Sequence, residues 1–105
     1  MTTQKRHPPK RLQGILWSHD VKDLNIEEDK YYIIHQILRY GTVEELNWLF
    51  QTYAEHTIQD IFTNHPAKIY SPSSFHFIKQ YVLPLSEIDL VTNRYVENTP
   101  RYIQS

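Results

Sequence analysis

The sequence predicts an all-α domain, on three observations. Only two glycines, Gly14 and Gly41, occur in 105 residues, too few for a fold built on tight β-turns. Apolar residues recur at helical spacing through the middle of the chain. A helix stop and a helix start stand side by side at Gly41-Thr42. The expected architecture is a compact bundle of four to five short helices. It carries a helix-turn-helix-like unit and an extended basic N-terminal arm.

Residues 1–14 hold Lys5, Arg6, Lys10 and Arg11, no acid, and Pro8-Pro9. They read as an extended flexible arm of charge +4. Ile15, Leu16 and Trp17 follow as an apolar plug for the core. The first helix is expected from about Glu27 to Tyr40. Glu27, Glu28 and Asp29 crowd its first turn, where the helix dipole favours negative charge. Ile26, Ile33, Ile34, Ile37 and Leu38 share one face. Gly41 is placed to end the helix in the left-handed conformation.

Thr42 to Glu45 has the pattern of a capping box. It opens a second helix, from Val43 to Tyr53, with Val43, Leu46, Leu49, Phe50 and Tyr53 inward. A third helix, about Thr57 to Asn64, is capped by Thr57 and buries Ile58, Ile61 and Phe62 before Pro66 stops it. Ser71-Pro72 starts a fourth, an N-cap serine followed by proline at the first helical position. Phe75, Ile78, Tyr81, Val82 and Leu85 face inward, and Pro84 ends it. Ser86 and Asp89 frame a last short helix to Tyr95, striped by Ile88, Val91 and Tyr95. One helical domain over 15–95 and a tail over 96–105 complete the organisation.

The absence of cysteine removes disulfides, thiolate metal sites and a cysteine nucleophile, and it fits a cytoplasmic protein. With no long apolar run, no membrane span is expected. The six histidines show no zinc-binding helical pair. No phosphate-cradling glycine loop or Ser-His-Asp pattern is present. Neither an enzyme nor a cofactor or metal site is therefore expected.

The order Ile15-Leu16-Trp17, Ile33-Ile34, Leu38-Arg39-Tyr40-Gly41, Trp48-Leu49-Phe50, Tyr53, Ile58, Ser71-Pro72, Phe75 and Phe77 resembles a family of small uncharacterised bacterial helical proteins. Members of that family are often encoded beside abortive-infection-type nucleotidyltransferase toxins. The resemblance covers about residues 15–85. In this chain Asp20 is displaced from the family's Trp-Asp opening, and Phe77 stands where the family closes on tryptophan. The resemblance implies an antitoxin or accessory protein that acts by stoichiometric binding of a neighbour-encoded nucleotidyltransferase-like partner. A homodimer is the other form of partner expected.

Trp48 is the residue that the helical pattern leaves over. At 100° per residue it lies about 140° round from Val43, while the apolar stripe centres near 300°. Either the Ile15–Trp17 plug covers it, or it anchors a partner, as tryptophan does at interfaces. Phe77 is similarly off its stripe. Trp48, Phe77, Glu44 and Glu45 are the expected partner contacts, the two acids suiting a basic partner surface. The alternative is a helix-turn-helix DNA-binding regulator that reads bases through Gln59, Thr63 and Asn64. Against it, the stretch from Gly41 to Ala67 holds four acids and no Lys or Arg, whereas phosphate contacts need cations. The charge of Lys5, Arg6, Lys10 and Arg11 suits non-specific nucleic-acid contact, and nucleic acid is the disfavoured partner.

Overall fold

Asn25 begins the helical part of the chain. In the computed structural model, which describes residues 6–83, 85, 88 and 90–96, its side-chain oxygen accepts from the N–H groups of Glu27 and Glu28 at 2.8 and 2.9 Å. The Asp29 carboxylate accepts from the Asn25 N–H at 2.7 Å. A turn over 26–29 leads into α1, Lys30–Tyr40, so the helix starts three residues later than expected, and Glu27, Glu28 and Asp29 precede its first turn. Then follow α2, Val43–Thr52, α3, Glu55–Asn64, and α4, Pro72–Phe77. No strand forms among the described residues beyond an isolated Tyr70–Val96 bridge, so the fold is all-α. No helix among them is long and apolar enough to cross a membrane. The chain divides into two units, Met1–Glu55 and His56–Ser105. The expected helix-turn-helix-like pair corresponds to α2 and α3, joined at Tyr53-Ala54 and belonging to different units.

In the first unit, all five apolar residues expected on the face of α1 are buried. So are His35 and Gln36, because the segment before the helix runs across that side: Gln36 donates to the Ile15 carbonyl at 3.0 Å. Residues 6–12 differ from the extended arm expected. The Ile26 N–H donates to the Arg6 carbonyl, Lys10–Leu12 form a 3-10 turn, and Leu12 is fully buried. Buried Pro8 and Leu12, with the Arg6–Ile26 backbone bond, hold the stretch down. Gln13 then organises the next loop. Its amide donates to the carbonyls of Leu16 and His19, and its oxygen accepts from the Val21 N–H. The expected apolar plug reduces to Leu16. Ile15 is half-buried, and Trp17 is 55% exposed.

The α1–α2 junction works differently from the sequence expectation. Gly41 is extended, with φ −76° and ψ 155°, not left-handed. Glycine is needed there for space: a Cβ would lie 2.7 Å from the Ile37 carbonyl oxygen and 3.0 Å from the Glu45 Cβ. The capping box forms as read, with the Thr42 N–H donating to Glu45 Oε1 at 2.6 Å. The Thr42 hydroxyl first, then the Thr42 backbone, hold the Glu45 carboxyl below its ordinary value. Protonation therefore removes a contact made only in the folded chain. The stability it contributes is present above the ordinary carboxylate range and is lost as pH falls through Glu45's depressed value. Thr42→Ala is expected to cost about 1 kcal/mol at neutral pH. That deficit should shrink in acid, as read by urea denaturation at pH 7 and pH 3.

Leu49 and Tyr53 of the expected α2 stripe are buried, and Leu46 and Phe50 are half-buried. Val43 is not inward; it is 72% exposed. At the first helical position its Cβ points back beyond the helix end, where no core lies. Tyr53 donates its hydroxyl to the Ile26 carbonyl at 2.7 Å. Burial, then the Glu27 charge, push its phenol well above the ordinary range.

The second unit is built on rings. Ile58, Ile61 and Phe62 of α3 are buried as expected. The helix starts at Glu55, two residues early, so Thr57 lies inside it and does not cap it. Phe62 packs against Tyr70, Phe75 and Tyr95, with centroids at 5.6, 6.2 and 4.8 Å. Tyr95 closes the cluster by donating its hydroxyl to the Phe62 carbonyl at 2.7 Å, and burial raises its phenol pKa. Ser71 and Ser74 cap α4 reciprocally.

After Phe77 the helix widens into a π turn, Ile78–Val82, closed by the Leu83 N–H on the Ile78 carbonyl at 2.8 Å. The extra residue per turn rotates the inward face. Leu83 and Leu85 are buried, while Tyr81 is 74% exposed and Val82 half-buried. Tyr81 therefore does not face inward as expected. Of the last helix, Ser86 and Asp89 lie outside the described residues. What is described is one 3-10 turn, Thr92–Arg94, with Ile88 and Val91 exposed and Tyr95 buried. Of the tail expected over 96–105, Val96 is not tail-like, being buried and bridged to Tyr70, and the rest lies outside the described residues.

Candidate partner-binding surface

Glu44, Asn47, Trp48 and Gln51 stand at i, i+3, i+4 and i+7 on α2, so they form one stripe along its outer side. With Arg11 they line an open cleft of about 320 Å³. Trp48 is half-buried in it. Its ring meets the ring of Tyr53 edge-on, centroids 6.4 Å apart, and Tyr53 is itself anchored through Ile26. The tryptophan is thus held by the core at one edge and open to the cleft. Trp17 does not pack on it; that ring meets Tyr40, centroids 4.7 Å apart.

The cleft combines a guanidinium, a carboxylate, two carboxamides and an indole. These groups bind and orient. They offer hydrogen-bond donors and acceptors of both charges beside one aromatic face.

The other residues singled out in the sequence fall elsewhere. Glu45 is occupied by the cap on Thr42, and Arg11 adds only a small further lowering of its carboxyl. Phe77 lies in the second unit, 51% exposed, its ring 5.9 Å from that of Tyr81. Lys5 lies outside the described residues. Arg6, Lys10 and Arg11 are all exposed. On α3, Thr63 donates its hydroxyl back to the Gln59 carbonyl at 2.8 Å, and Asn64 donates to the Asp60 carboxylate at 2.7 Å. Gln59 is half-buried. Two of the three residues offered as base readers are thus engaged along their own helix.

Asn47 and Gln51 are absent from the sequence expectation, although the signal was present as their three- and four-residue spacing from Trp48. The exposed Trp17–Tyr40 pair, with the Arg39 guanidinium 4.5 Å over the Tyr40 ring, is a second cluster that the helical pattern alone did not indicate.

Residues 12–62 match the model of a family of unknown function, DUF6922. The matched stretch runs from Leu12 to Phe62 and contains the whole α2 stripe, but neither Arg11 nor Phe77. No curated protein and no solved structure matches the chain.

Proposed function

We propose that this chain is a non-catalytic binding protein that engages a protein partner through the outer face of α2. The observation that supports the reading is Trp48, held edge-on by a core-anchored tyrosine and open to a cleft of recognition groups. Tryptophan and arginine are the residue types that most often dominate binding energy at protein interfaces. Glu44 in the cleft, within a stretch that has no Lys or Arg from Gly41 to Ala67, suits a basic partner surface. A nucleotidyltransferase-type toxin, whose nucleotide-binding cleft is basic, is the partner that the family resemblance implies. The chain would then serve as its antitoxin by stoichiometric occlusion.

Co-expression with the product of the adjacent gene tests this. A complex of fixed stoichiometry on size exclusion, with growth rescued from the toxin, is the expected outcome. Separate elution together with unrelieved toxicity would overturn it. The alternative, a DNA-binding regulator reading through α3, is weakened by the internal bonds of Thr63 and Asn64 and by the acidic surroundings.

A further inference from the structure

The basic residues of the first unit lie beside exposed rings. His7, Lys10, Gln13, Asp20, Val21 and Lys22 line a second cleft, of about 400 Å³. The Lys10 and Lys22 side chains there outnumber the single carboxylate of Asp20. That carboxylate is partly engaged, accepting from the Lys22 N–H at 3.2 Å and standing 4.0 Å from Lys22 Nζ. Arg6 adds exposed positive charge on the same folded N-terminal stretch.

Gln13, in the floor of this cleft, also holds the carbonyls of Leu16 and His19 at 2.9 and 2.7 Å. The loop it holds carries Trp17 and His19. Trp17 stands on Tyr40, which is 39% exposed. The His19 ring stands on Tyr32, centroids 5.2 Å apart, and the Ser18 N–H between them donates to the Tyr32 hydroxyl at 3.1 Å. A cationic cleft and a row of exposed rings thus share one loop, which is fixed from below by Gln13 and Tyr32.

We infer that this loop and cleft form a binding surface for single-stranded nucleic acid. Lysines placed along a cleft track a phosphate backbone, and exposed rings accept unstacked bases. A duplex offers no unstacked base, so the rings favour a single strand. An acidic protein on the same lysines and rings is the competing occupant, and in the test below it corresponds to no oligonucleotide binding at low salt. The surface is separate from the α2 stripe, so it stands or falls without the partner proposed above.

The test is fluorescence anisotropy of a labelled twenty-nucleotide oligo(dT), and of a duplex of equal length, titrated with the full chain at several salt concentrations. Binding to the single strand is expected to be tighter than to the duplex and to weaken with salt. Trp17→Ala, at an exposed site, should weaken it roughly 5- to 100-fold, the range of one lost stacking contact. Lys10→Ala with Lys22→Ala should lower the magnitude of the salt slope by roughly 1.4, about 0.7 for each phosphate contact of a single strand. Circular dichroism confirms that the variants are folded. No binding at low salt would overturn the inference. So would binding that ignores Trp17, or that favours the duplex, since either means charge attraction alone.

Discussion

Phe62→Ala is expected to destabilise the protein by about 3–5 kcal/mol, the range for emptying a buried aromatic site. The ring is fully buried and contacts Tyr70, Phe75 and Tyr95, which come from three different parts of the second unit. Its removal leaves a hole that all three border, and none can fill it without giving up its other contacts. Tyr70 is tied by its N–H to the Tyr95 carbonyl. Tyr95 is tied by its hydroxyl to Phe62's own carbonyl, a backbone bond that survives the substitution. Since small domains hold about 5–15 kcal/mol in all, this one change takes a large share. Tyr95→Phe, which removes the hydroxyl's bond to the Phe62 carbonyl and its longer contact with the Thr63 carbonyl at 3.4 Å, should cost about 1–3 kcal/mol, because the Phe62 carbonyl left behind is buried. Urea denaturation of both variants checks the ordering. A Phe62→Ala cost no larger than that of Tyr95→Phe would mean that the ring cluster does not hold the unit.

Gly41→Ala is the second large effect. Its backbone, φ −76° and ψ 155°, is one that alanine adopts freely, so no conformational strain arises from the torsions themselves. The obstacle is the added methyl, 2.7 Å from a backbone carbonyl in the last turn of α1 and 3.1 Å from the Ile37 Cγ2. A backbone carbonyl cannot swing aside as a side chain can. α1 and α2 must therefore separate slightly, at a cost of about 1–3 kcal/mol, as for other overpacked sites. Gly14 is the matched control. Nothing lies within 4 Å of a Cβ there, and its φ is outside the positive range. Gly14→Ala should therefore stabilise by about 0.4–1 kcal/mol through the unfolded chain. The same substitution thus has opposite signs at the two glycines. Thermal melts of the pair would contradict the steric account if both moved the same way.

Local signals in the sequence carried much of this fold. The Thr42–Glu45 cap, the Ser71-Pro72 start and the inward faces of α1 and α3 depend on contacts within one or two turns, and they are found where the pattern placed them. What the pattern misplaced depends on partners distant in sequence or on a single change of hydrogen-bond register. Tyr81 reads as inward in an α-helix and turns outward because Ile78–Val82 wind as a π turn. Trp17 reads as core, yet Leu16 takes the interior position and leaves its neighbour at the surface. Buried Pro8 and Leu12 draw down a basic stretch whose composition alone suggests an extended arm. Gly41 ends α1 as the pattern places it, but for a steric reason and not a left-handed one.

The site was less legible than the fold. Trp48 was visible as a residue off its stripe, and Glu44 as charge. Asn47 and Gln51 carry no charge or apolar period to mark them, and they belong to the surface because the outer side of α2 lines a cleft with Arg11. Glu45 reads as a contact residue by its charge, and in the fold its carboxylate accepts from the Thr42 N–H and hydroxyl.

Titration calorimetry of the adjacent gene's product with the wild-type chain, Glu44→Gln and Trp48→Ala tests the partner surface most directly. A hot-spot tryptophan predicts a loss of about 30-fold or more for a folded Trp48→Ala variant, and a smaller loss for Glu44→Gln. Wild-type affinity in a folded Trp48→Ala variant, or no heat of binding with the wild-type chain, would contradict the assignment of α2 as the binding face.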